Sequence, residues 1–149
     1  MNVLEDRPEM VAVCERSNLA GIIRGPLAMG LLTGKYTASS TSLPLDDVRS
    51  ERAPKWLQYF KDGKPHPDWL KKLDAVREIL SSGGRTLAQG ALAWLWARTE
   101  RAIPIPGFRT VAQVEENCGA MAHGPLTPAQ MREVDRLLDS HRPPAGTDR

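Results

Sequence analysis

Apolar positions recur along the chain at two spacings, and each change of spacing is marked by a glycine, a proline or a helix cap. Pro8 opens the first helical stretch, because a missing N–H costs nothing in a helix's first turn. Val11 and Cys14, with Met10 beside them, are its expected buried side, and Ser17-Asn18 ends it. Leu19-Ala20-Gly21-Ile22-Ile23 is then a short unbroken apolar run between turn residues, the pattern of a buried strand. Residues 25–35 follow with Gly25, Gly30 and Gly34, a backbone able to approach a ligand closely. Residues 37–50, rich in Ser, Thr, Pro and Asp, predict a mobile surface loop. From about Pro67, Leu70, Leu73, Val76 and Leu80 share one stripe with charges opposite, which predicts a helix stopped by Gly83-Gly84.

Three further helices should open alike. Thr86-Leu87-Ala88-Gln89, Thr110-Val111-Ala112-Gln113 and Thr127-Pro128-Ala129-Gln130 each carry the T-x-x-Q capping box, in which side chain and backbone satisfy each other's first-turn N–H groups. Between the first two lies Ala102-Ile103-Pro104-Ile105-Pro106-Gly107, a short strand whose prolines suit only a terminal or barrel position. The last helix packs Met131, Val134, Leu137 and Leu138, and residues 141–149 read as a flexible tail. Strands alternating with helices predict an α/β fold, helix-rich, with two parallel strands. Two parallel strands leave both sheet edges open and cannot cover this many amphipathic helices. Residues 1–140 therefore read as one part of a larger unit.

Charge and composition narrow the partners. The net charge is +2 with acidic and basic residues interleaved, so neither a nucleic acid nor an anionic membrane is an expected partner. No apolar run approaches the ~20 residues of a membrane span, and the first residues lack a signal-peptide core. Cys14 and Cys118 sit far apart in helical patterns and read as small buried hydrophobes, which fits a reducing, cytoplasmic compartment. His66, His123 and His141 show no ligand spacing, so no metal is expected.

Two segments point to anion binding. Residues 25–35 leave a strand with backbone N–H groups that can meet phosphate oxygens, and Lys35 adds a charge; a plain structural loop is the commoner reading of such a stretch. In the second, Gly107 permits close approach and Arg109 stands just outside the first turn of a helix, where unpaired N–H groups favour a phosphate that Arg can grip bidentately. In that helix Val111, Val114, Cys118 and Met121 fall on the core side by spacing. Gln113, Glu116 and Asn117 share another side that starts at the phosphate end and could read the rest of an adenosine. Equally, Gln113 could close the capping box and Glu116 be plain helix surface. Trp56, Tyr59, Phe60 and Trp69 form an aromatic cluster, for which packing is the favoured reading over a binding mouth, while Trp94 and Trp96 are expected in the core.

The run from Pro26 through Leu27-Ala28-Met29-Gly30-Leu31-Leu32-Thr33-Gly34-Lys35 to Tyr36 resembles the strand-seven exit of the aldo-keto reductases. Ile103-Pro104-Ile105-Pro106-Gly107-Phe108-Arg109, with Gln113 and Glu116-Asn117, resembles their strand-eight exit and following helix, and Asn2 to Arg7 is similar to the segment after strand six. The resemblance implies the C-terminal portion of a (β/α)8 TIM barrel that holds NADP(H) at its strand-exit face. It implies that Gly25, Pro26, Leu27, Ala28 and Met29 line the nicotinamide and pyrophosphate path and that Lys35 meets a phosphate. Gly107 and Arg109 would hold the ribose 2′-phosphate, with Gln113, Glu116 and Asn117 on that phosphate and the adenine. Where many members stack an aromatic on the nicotinamide, this chain has Arg24, whose guanidinium plane can also stack and whose charge would shift the balance between oxidised and reduced cofactor. The implied activity is NADPH-dependent reduction of small aldehydes or ketones. The family's catalytic Asp, Tyr, Lys and His fall outside this chain, so no catalytic residue is assigned, and Tyr36 and Tyr59 stand in the wrong contexts to replace the proton donor. The expected protein partner is a second copy or a complementing N-terminal half. The alternative function is an inactive nucleotide-binding or self-assembling half-barrel.

Overall fold

A computed structural model of the chain describes residues 1–140. The expected tail, residues 141–149, lies outside the described residues. The elements run α1 (Pro8–Arg16), β1 (Gly21–Arg24), a 3-10 segment (Ala28–Thr33), β2 (Phe60–Lys61), β3 (Lys64–Pro65), α2 (Pro67–Leu80), α3 (Leu87–Arg98), β4 (Ala102–Ile105), α4 (Val111–Gly119), a 3-10 turn (Ala120–His123) and α5 (Pro128–Ser140).

The hub is α3. Leu87, Ala88, Ala91, Leu92, Ala93, Trp94 and Leu95 are all buried, because a helix apolar all round is stable only when neighbours enclose it. It contacts α2, α4, α5, β4 and the 3-10 segments. The predicted stripe of α2 is buried in full at Leu70, Leu73, Val76 and Leu80. Gly90 sets how near α2 and α3 come. A Cβ there would stand 2.0 Å from the Leu80 carbonyl oxygen, so only a glycine fits. On α5, Val134 is buried and Met131, Leu137 and Leu138 are packed at the margin, as their spacing predicts.

The two predicted strands pair in parallel, Gly21 beside Ala102, Ile22 beside Ile103, Ile23 beside Pro104 and Arg24 beside Ile105. The period of two then divides them. Ile23 and Ala102 are buried, whereas Ile22 is 67% exposed and Ile103 and Ile105 are each 50% exposed. The expectation of a strand buried on both faces is therefore wrong for β1. Its continuous apolar run is covered on one side only, and Leu19 is exposed as well.

Three further differences have physical causes. The expected core side of α4 is not buried: Val111 is 73% exposed, Met121 74%, and Cys118 is exposed too. Its main contacts are with α3 and the turn after it, so spacing named an apolar side that neither covers. Cys14 is half-buried rather than buried, near Gly21. Residues 37–50 are tied down rather than loose. Leu43 N–H donates to the Gly63 carbonyl (2.8 Å), Ser50 is buried, and consecutive turns close at Asp47, Ser50 and Ala53. The anchor is an unpredicted hairpin, β2–β3, turning through Asp62 (φ 53°) and Gly63 (φ 74°), the left-handed pair that a two-residue turn needs.

Candidate functional site

The register of β1 and β4 brings their exits together, since Arg24 lies beside Ile105 and the chain turns immediately afterwards on both strands. After β1 the backbone folds sharply. Gly25 (φ 63°), Ala28 (φ 49°), Met29 (φ 56°) and Gly30 (φ 92°) are left-handed, and two of these carry side chains that disfavour it. Burial of Leu27, Ala28, Leu31 and Leu32 holds the turn in that shape, and Tyr36 closes it edge-on against Phe60 at 5.0 Å. Lys35 remains at the surface. After β4, residues 106–109 lead into α4, where Thr110 accepts from Gln113 N–H at 3.3 Å as the cap requires.

Between these arms lies a cavity of about 640 Å³. Gly25, Pro26, Leu27, Met29, Lys35, Gly107, Arg109, Gln113, Glu116 and Asn117 all line it. Two of the expected residues stand outside. Arg24 is exposed on the open side of the sheet, one residue before the rim, and Ala28 is wholly buried with its side chain in the core. Neither side chain lines this cavity as the chain now lies. A larger depression, about 820 Å³, sits by the hairpin and α2. It is bordered by mixed lysines and carboxylates and by none of the residues expected at the two strand exits, so the smaller cavity is the better candidate.

The capping boxes differ in a way that bears on this cavity. At α3 and α5 the glutamine reaches back to the cap's own N–H, with Gln89 on Thr86 and Gln130 on Thr127, each at 2.9 Å. At α4, Gln113 instead accepts from the backbone N–H of Arg109 at 2.7 Å. The expected box is thus half formed, and one amide at the rim is held by a side chain. Gln89 also donates to the Glu116 carbonyl at 3.0 Å, which fixes α4 to α3 and so sets the cavity's far wall.

Sequence reasoning missed the third wall. Val48 and Arg49, from the loop expected to be mobile, line the same cavity. Asp47 grips Arg49 through its backbone N–H (2.9 Å), Nε (2.8 Å) and Nη2 (2.6 Å), while Arg49 Nη1 donates to the Met29 carbonyl at 2.9 Å. The guanidinium lies over Tyr36 and Phe60, 5.2 and 5.5 Å from their ring centres. Its bonds to Arg49, with a smaller contribution from the Arg109 charge, hold the Asp47 carboxyl at a pKa of about 2. The only sequence signal was an Asp two residues before an Arg, the spacing of an Asx-type turn.

The aromatic cluster divides. Tyr59 packs on Trp69 at 5.0 Å, donates its hydroxyl to Glu5 (2.6 Å) and accepts from the Asn2 amide (2.8 Å), whereas Trp56 is exposed. Burial and the Glu5 bond push the Tyr59 phenol well above its ordinary value. The contacts of Tyr59 are packing contacts, while Phe60 and Trp69 also border the larger depression. Among the described residues no group of His, Cys, Asp and Glu is placed to hold a metal, and no helix is long and apolar enough to cross a membrane.

Parallel strands whose exits share one rim, with a cavity between the turns that follow them, define a piece of a helix-rich α/β architecture. Residues 1–139 match the family model described as the aldo/keto reductase family, and the chain belongs to that family. The family comprises oxidoreductases that generally use NAD(P)H. Aldo-keto reductase yakc [NADP(+)] of Schizosaccharomyces pombe is 30% identical over 91% of this chain and 38% of its own length. The chloroplastic pyridoxal reductase of Arabidopsis thaliana is 33% identical over 78% of the chain and 28% of its own. Aldo-keto reductase AKR11C1 from Bacillus halodurans, in its apo form, superposes with a TM-score of 0.59 at 20% identity, covering 92% of this chain and 41% of that one. The chain thus spans well under half the length of these relatives.

Proposed function

We propose that this chain supplies the NADP(H)-binding wall of a carbonyl reductase acting on small aldehydes or ketones. The observation that carries the reading is convergence. Ten residues expected from two separate segments line one cavity, with Lys35, Arg49 and Arg109 as cations and glycines at both strand exits. The cavity fits the cofactor on its own geometry. Gly25 and Gly107 have no heavy atom within 4 Å of where a Cβ would stand, so their backbones face open space that a pyrophosphate could approach. Arg109 makes no ion pair among the described residues, and in this reading it meets the 2′-phosphate. Glu116 and Asn117, half-buried on the far wall, would meet the adenosine. Bound NADPH would supply the hydride for a carbonyl carbon. This chain's own task is to seat and orient the dinucleotide, and the residues that move the proton are not assigned here.

The test is a fluorescence titration of NADPH and NADH against the chain and Arg109→Ala. Losing a charged hydrogen-bond partner costs ~2 kcal/mol, a roughly 30-fold weaker NADPH complex, with NADH changed less than about threefold. Equal losses for both would mean that Arg109 does not read the 2′-phosphate.

A second reading draws on the open apolar side of β1 and β4. There Ile22, Ile103 and Ile105 favour assembly with further strands, from a complementing half or a second copy, over function alone. Its test is the sedimentation state of the chain.

A further inference from the structure

Asp47 is absent from the cavity wall, yet the hydrogen bonds of its carboxylate go to Arg49, which lines it. The turn carrying Met29 is left-handed at two residues with side chains, a conformation that costs on the order of 1 kcal/mol or more per residue and persists only when its surroundings hold it. On its buried side the leucines do so. On the side nearer residues 47–49, the bond from Arg49 Nη1 to the Met29 carbonyl ties the turn down. Arg49 can make that bond because Asp47 takes Nε and Nη2 and leaves the third nitrogen pointing at the turn, while Tyr36 and Phe60 fix the guanidinium plane. Gly30 is part of the fit, since a Cβ there would stand 3.3 Å from Arg49 Nη1.

We propose that Asp47 is a positioning residue for the dinucleotide: through Arg49 it holds the Met29 turn against the pyrophosphate and nicotinamide end of the cavity. The inference rests on the NADP(H) reading above. It assigns different tasks to different groups, Arg109 to the 2′-phosphate and the Asp47–Arg49 pair to the Met29 turn, although Asp47 lies near enough to Arg109 to feel its charge. The lowered pKa of Asp47 agrees, because the Arg49 bonds that cause it hold the carboxylate in its charged form.

The probes are whole NADPH and the fragment 2′,5′-ADP, which carries the phosphate end alone, titrated against the full chain and Asp47→Asn, Arg49→Met and the double variant. Asp47→Asn should weaken NADPH about tenfold and leave 2′,5′-ADP unchanged or slightly tighter, since a negative charge near Arg109 has gone. In the Arg49→Met background, Asp47→Asn should have less than a twofold further effect, because the pair acts as one unit. A general loosening of the fold would weaken both probes, so equal losses would overturn the positioning role. Full additivity in the double variant would overturn the route through Arg49. If the unsubstituted chain bound neither probe, the nucleotide reading itself would fail and take this inference with it.

Discussion

Gly90 is the most exacting contact in the fold, and replacing it with alanine tests the packing argument directly. An ideal Cβ at that position meets Leu80 backbone atoms at 2.0 Å (carbonyl oxygen), 2.6 Å (carbonyl carbon) and 2.8 Å (Cα). Restoring even a 3.0 Å separation from the oxygen requires α2 and α3 to part by about 1 Å, and the obstacle is backbone that no rotamer change relieves. Alanine gains ~1 kcal/mol over glycine in a helix interior. Overpacking a dense core costs ~1–3 kcal/mol and more where backbone must move, so the clash outweighs the propensity. A net loss of ~2 kcal/mol is expected, about 6 °C in Tm for a chain of this size. The shift also reaches the cavity, because Gln89, the neighbour of Gly90, holds the Glu116 carbonyl. NADPH affinity should therefore fall with stability. Urea unfolding followed by far-ultraviolet circular dichroism, at fixed protein concentration, measures the loss. Gly119→Ala is the control, since its nearest obstacle is the movable Gln89 amide at 3.0 Å. A Gly90→Ala chain as stable as its parent would show that the two helices are not in the tight contact described.

Two further outcomes follow from the same structure. Tyr59→Phe removes the hydroxyl between Glu5 and the buried Asn2 amide, and should cost ~1–2 kcal/mol in urea unfolding; an unchanged midpoint would mean the network is incidental. For the open apolar side of the sheet, sedimentation should show an oligomer or aggregate, and a compact, cooperatively folding monomer would contradict the assembly reading.

Local and periodic features were legible in the sequence. The stripe of α2, the all-round apolarity of α3 and the threonine caps depend on neighbours a few residues away, and the structure reproduces them. The two strand exits were also legible, because the residues that shape each turn are contiguous in the chain. Residues 47–49 were not. Nothing in a Ser/Pro/Asp-rich segment announces that a hairpin some fifteen residues later will hold it, so the third wall of the cavity went unread.

Sequence alone decided which residues could form helices and strands and which side chains belong at two strand exits, since propensity, capping and period act within a single turn or strand. Tertiary structure decided which apolar faces are covered: α4 and β1 carry hydrophobic sides that spacing marks as core and that solvent meets instead. It also decided that Arg24 misses the cavity while Arg49 enters it. Burial and convergence are relations between distant segments, and they are fixed only when the strand register and the approach of α2 to α3 have been set.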